Sequence, residues 1–117
     1  MKELTKAEEE VMQKLWKLEK AFVKEILKEF KDPKPAYNTI STIIRILEKK
    51  GFVGFKAFGK SHQYFPLVSK EEYKAKISKN LIAKYFEGSI EKMVSFFVQK
   101  EEIDISELDK ILKSLKK

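Results

Sequence analysis

Cysteine is absent from this chain of 117 residues, and histidine occurs once, at position 62. The missing cysteines exclude disulfides, thiolate metal sites and thiol nucleophiles together. A single histidine leaves a zinc site short of ligands. Glycine is sparse, four residues in all, and none stands in the spacing of a phosphate-cradling loop. Unbroken apolar runs never exceed three residues. Neither a membrane-spanning helix nor the apolar stretch of a secretion signal is therefore expected, and the chain is expected in the cytoplasm. No catalytic constellation, metal site or cofactor site is left to propose, so an enzyme is the least favoured reading.

What is present is positive charge, and its distribution is uneven. The chain carries a net charge of +7. Residues 1–70 hold 15 Lys/Arg against 9 Asp/Glu, whereas residues 71–117 hold 10 against 9. Within residues 31–63 the ratio is 7 to 2. A polyanion such as DNA would meet this stretch first.

The most informative segment lies inside it, from Tyr37 to Gly51. At 100° per residue, Ile40, Ile43, Ile44 and Leu47 form one apolar stripe. Asn38, Thr42, Arg45 and Lys49 gather on the opposite side, flanked by Thr39 and Ser41. Short hydrogen-bonding groups in the first turns, followed by cations, suit a helix that enters a DNA major groove. Gly51 ends the helix. Phe52–Ala57 and His62–Leu67 read as two strands joined by a turn at Phe58–Ser61, with Lys56, Lys60 and His62 placed to meet DNA. His62 is expected as an exposed residue. This is the layout of a winged helix-turn-helix.

Two further helices precede this unit. Thr5 and Glu8 have capping-box spacing and open the first, with Val11, Met12, Leu15 and Leu18 inward and Trp16 at the edge. The second is expected from about Ala21 to Phe30, ending before Pro33 and Pro35. Beyond the hairpin, Ser69 and Glu72 form another capping box, and Ser89 and Ser106 are expected to cap two more helices. The expected fold is mainly α with a small antiparallel β wing, divided into a winged-helix DNA-binding domain at 1–68 and a helical dimerisation region at 69–117. The later helices carry more apolar surface than three short helices satisfy among themselves. Ile77, Leu81, Tyr85, Val94, Phe97 and Val98 are expected at an interface with a second copy of the chain. The alternative is that these helices fold back on the N-terminal part.

At this level the chain resembles the penicillinase-repressor (BlaI/MecI/CopY) family of bacterial winged-helix repressors. The resemblance runs through Leu4–Met12 with Trp16, is strongest over Asn38–Phe52, and continues through Tyr64–Val68 and, more loosely, Asn80–Lys100. It implies a homodimer that binds double-stranded, palindromic operator DNA and represses transcription. The family's base-reading positions match Asn38, Thr39, Ser41 and Thr42. The resemblance further implies induction by proteolysis in the dimerisation region, triggered by a membrane sensor with a metalloprotease domain. The equivalent bond is Phe96–Phe97, with Phe96 where the best-known members have asparagine. The copper-responsive branch uses a C-terminal cysteine cluster that this chain lacks. Two other function classes fit the same residues: a winged-helix module that binds protein, and a nucleic-acid binder without sequence preference. Steep salt dependence argues against the first and preference over random duplex against the second.

Overall fold

The computed structural model describes residues 3–115; positions 1–2 and 116–117, at the ends of the two expected domains, lie outside the described residues. Eight elements follow in order: α1 (Lys6–Leu18), α2 (Val23–Lys28), α3 (Tyr37–Lys49), β1 (Val53–Phe58), β2 (Ser61–Pro66), α4 (Lys70–Tyr85), α5 (Ile90–Gln99) and α6 (Ile105–Leu115). The fold is mainly α with a two-stranded antiparallel wing, a winged helix-turn-helix followed by a helical region. The chain divides into two compact units, Met1–Lys74 and Ala75–Lys117.

In the first unit, helix ends form where the local chemistry requires. The Thr5 hydroxyl accepts from the Glu8 N–H at 3.2 Å, and the Glu8 carboxylate accepts from the Thr5 N–H at 3.0 Å. Two of the orphan donors at the start of α1 are thereby satisfied. The same reciprocal pair joins Ser69 and Glu72 at the start of α4. Helix α3 ends in a Schellman motif: Phe52 N–H bonds Leu47 O at 2.9 Å and Gly51 N–H bonds Glu48 O at 3.0 Å. Gly51 supplies the φ of +82° this needs.

The core of this unit joins Val11, Met12 and Leu15 of α1, Ile26 of α2, Ile40, Ile44 and Leu47 of α3, and Phe52, Val53, Tyr64 and Tyr73. The stripe expected on α3 therefore faces inward, with Ile43 half-buried at its edge. Burying such side chains stabilises by about 1.5–3 kcal/mol each before entropy is counted. Helix α2 is shorter than expected. Ala21 lies in extended backbone and exchanges both hydrogen bonds with Tyr64, at 2.9 and 2.8 Å. The apolar run Ala21-Phe22-Val23 reads locally as helix, but pairing with β2 satisfies the same backbone groups and wins.

The second unit is all helix. The Ser89 hydroxyl caps α5 by accepting from the Lys92 N–H at 3.1 Å. The cap of α6 is not Ser106. The Asp104 carboxylate takes the Glu107 N–H at 2.7 Å, and the Ser106 hydroxyl donates to that carboxylate. A charged acceptor outcompetes a hydroxyl at a helix N-terminus, where the dipole favours negative charge. None of the described residues from 75 to 115 is buried.

Candidate nucleic-acid interface

Helix α3 presents two chemically distinct sides. Asn38, Thr39, Thr42, Arg45 and Lys49 are exposed and Ser41 is half-buried, opposite the buried Ile40, Ile44 and Leu47. The structure thus brings all six expected residues of this helix to its accessible side. The N-terminal turn carries no acidic residue, and its N-cap, Ala36, has no side-chain acceptor. The Thr39 N–H bonds Ala36 O at 3.1 Å, which leaves the N–H groups of Tyr37 and Asn38 and the positive end of the helix dipole to meet an anion.

The wing stands beside α3, and its register follows from a tight turn. Val53 pairs with Pro66 and Phe58 with Ser61, so only Gly59 and Lys60 form the loop. Gly59 takes a φ of +62°, the requirement of the first central position in a II′ hairpin. Lys56 and Lys60 are exposed on the hairpin, and Lys56 Nζ lies 5.4 Å from the centre of the Phe58 ring. His62 differs from expectation. It is half-buried and stacks on Phe55, with ring centres 4.2 Å apart and planes within 10°. Its position opposite Ala57, beside the Phe55–Tyr64 pair, puts it on the strand face that leads into the core. Two flat rings covering one another expose less surface to water than they would apart.

Contacts distant in sequence hold the wing and α3 in place. The Ala21–Tyr64 bridge ties the hairpin to the segment before α2, and burial pushes the Tyr64 hydroxyl above its usual pKa. Phe22 meets Phe58 edge-on at 5.8 Å. At the far end of α3, Lys50 Nζ donates to the Glu8 carboxylate at 2.6 Å. Burial raises the Glu8 carboxyl, but the bonds from Lys50 and the Thr5 N–H more than offset this and hold it below its ordinary value. The capping residue of α1 thus also anchors the C-terminus of α3. Trp16 donates its indole N–H to Val68 O at 2.9 Å. The Tyr73 hydroxyl donates to Glu9 at 2.7 Å and accepts from the Leu4 N–H at 3.2 Å. Burial and the Glu9 carboxylate push the Tyr73 pKa up to about 12.

Sequence reasoning missed the Glu8–Lys50 and Phe22–Phe58 pairs. Opposite charges at the starts and ends of helices are too common to single out one partner. No group of His, Asp or Glu suited to a metal ion occurs among the described residues, and no described helix is long and apolar enough to cross a membrane.

The residues expected at an interface lie in α4 and α5. Ile77, Val94 and Val98 are half-buried, while Leu81, Tyr85 and Phe97 are exposed, Tyr85 at 65%. Phe96 and Phe97 fall in the second half of α5, with Phe96 edge-on to Phe86 at 5.7 Å and beneath the Lys100 ammonium.

Comparison with known proteins agrees with this architecture. The family model described as penicillinase repressor matches residues 4–117. The methicillin resistance regulatory protein MecI of Staphylococcus aureus (strain N315) is 37% identical over 118 residues, covering 98% of this chain and 94% of that protein. MecI of Staphylococcus epidermidis shows the same identity and coverage. The penicillinase repressor of Bacillus licheniformis is 28% identical over 118 residues, covering 97% of this chain and 92% of its own length. A winged helix-turn-helix with a polar, cationic face on α3, matched over nearly its full length by these regulators, belongs to the penicillinase repressor family of transcription regulators.

Proposed function

We propose that this protein represses transcription as a homodimer that reads a palindromic operator with α3. The observation that carries the reading is the composition of the accessible side of α3: Asn38, Thr39, Ser41 and Thr42, then Arg45 and Lys49, with no acidic residue in the first turn. Thr42 offers a hydroxyl or methyl to a base edge, and Arg45 reaches guanine or phosphate. Lys49, Lys56, Lys60 and His62 contribute backbone contacts, which set affinity and register more than sequence preference.

The division of labour is a reading domain at 1–68 and a dimerisation region at 69–117. Dimerisation is supported by the state of the second unit, where Leu81, Tyr85 and Phe97 are exposed and no described residue from 75 onward is buried. Induction is by a cut at Phe96–Phe97, made by a membrane sensor metalloprotease, which separates the reading heads and removes the avidity of two linked sites. The names of the relatives refer to methicillin resistance and penicillinase, and genes of that kind are the first targets to examine.

Sequencing the duplexes that the purified protein retains from a random pool tests the reading. Two half-sites related by a two-fold axis and spaced by a multiple of about 10 base pairs are expected. Retention without enrichment would leave a binder lacking sequence preference, and no retention a protein-binding module. On the enriched site, Thr42→Ala is expected to cost about 1–3 kcal/mol and to relax preference at one position. Unchanged affinity for both Thr42→Ala and Arg45→Ala would remove α3 from the interface.

A further inference from the structure

A cleft of about 670 Å³ opens between α2, α3 and the wing. Four cations line it: Lys24 and Lys28 of α2, Arg45 of α3 and Lys60 of the hairpin turn. None of the four forms an ion pair with a described residue. One carboxylate, Glu25, also borders the cleft, and it is engaged in accepting the Phe22 N–H at 2.8 Å. Lys24 and Lys28 stand one helical turn apart, the spacing that puts both on one face. Phe22 and Phe58, in edge contact, form an apolar wall, and the Phe58 ring is 48% exposed.

We infer that this cleft seats the sugar-phosphate backbone of one DNA strand, with Lys24 and Lys28 as phosphate ligands and Phe58 packed against deoxyribose. The inference rests on the reading of α3 as the DNA-contacting helix and extends it to an element, α2, outside that reading. Continuity supports duplex DNA as the occupant, because Ser41 and Arg45 belong both to the cleft and to the accessible side of α3. A strand followed from the α3 face toward the wing tip meets positive charge on both sides. The repeating chemistry of such a strand, an anion alternating with an apolar sugar, matches cations set around an aromatic wall.

The test uses the full-length protein, the duplex enriched by selection and a random duplex, with affinity measured between 50 and 200 mM salt. Lys24→Gln/Lys28→Gln removes four lysines from a bound dimer, two in each reading head. It is expected to weaken binding to both duplexes alike and to reduce the slope of log affinity against log salt by about 4. Phe58→Ser, which removes no charge, is expected to weaken both several-fold with the slope unchanged. Lys110→Gln/Lys113→Gln removes the same charge from α6 and is expected to leave the slope at its wild-type value. Circular dichroism at each salt establishes that the variants are folded. A steep wild-type slope that the α2 variant leaves intact would overturn the cleft while sparing α3. So would an equal loss in the α6 control, which would mark a general charge effect. A wild-type protein with no salt slope would remove the α3 reading itself, and this inference with it.

Discussion

The two compact units contain similar kinds of side chain and treat them in opposite ways. In the first, Val11, Met12, Leu15, Ile26, Ile40, Ile44, Leu47 and Phe52 are almost wholly withdrawn from solvent. In the second, Leu81, Ile90, Phe96, Ile105, Ile111, Leu112 and Leu115 are all exposed in the single chain. Helix formation does not account for the difference, since each unit contains well-capped helices. The contrast lies in what each chain segment finds to pack against. The first unit has a hairpin and three helices converging on one core, whereas the second has apolar faces left open in the single chain. Stability in the first unit is thus a property of the chain, and in the second, on the dimer proposed here, a property of concentration.

Breaking that contrast should produce its largest effect at the proposed interface. Phe97→Ala is expected to weaken association by about 3–5 kcal/mol. Sedimentation should show the dimer displaced toward a species near 14 kDa at micromolar concentration. A variant that sediments like the wild type would take Phe97 out of the interface, and a monomeric wild type would remove the interface altogether.

Ile44→Ala, fully buried in the first unit, is expected to cost about 2–5 kcal/mol. Unlike the Phe97 effect, this loss should be the same at every protein concentration. Denaturant unfolding at two concentrations checks it, and a concentration-dependent loss would mean that the first unit also depends on a partner.

Smaller, and sensitive to pH, is the Glu8–Lys50 pair. Glu8→Gln is expected to cost about 1–3 kcal/mol at neutral pH by leaving Lys50 without its charge partner. Glu8 titrates below its ordinary value of 4.5 in the folded chain. Its contribution is therefore fully present above the unfolded value and is lost as pH falls through the folded one. The stability gap between wild type and variant should be widest above about pH 5 and close in more acid solution. A gap independent of pH would show that packing, not charge, ties the end of α3 to α1.

Which parts of this molecule were legible in the sequence depends on how far apart the interacting residues lie. The Thr5–Glu8, Ser69–Glu72 and Ser89–Lys92 caps each span three residues and were read correctly. So was the helix end at Gly51. The stripe on α3 needed only a periodicity of 3.6, and it places one side of that helix in the core. The Ala21–Tyr64 bridge was not legible, because a short apolar run does not announce a strand partner 43 positions away. Lys50 meets Glu8 across 42 positions, and nothing local marks that choice. His62 was expected in the open because its polarity was legible and the Phe55 ring beneath it was not. In the cleft, the residues of α3 and the turn were singled out from pattern. Lys24 and Lys28 were passed over because only the folded chain brings α2 alongside them.

Trp16 is the sole tryptophan, and its indole is fixed between Val68 and Tyr73. Its emission therefore samples the neighbourhood where α1, the end of the wing and the first turn of α4 meet. Far-UV circular dichroism, by contrast, sums over every helix, including α5 and α6. On the dimer proposed above, diluting the protein should then dissociate the two optical signals before any denaturant is added: ellipticity falls as the helices of the second unit separate from their partner copy, while the tryptophan spectrum holds its native maximum.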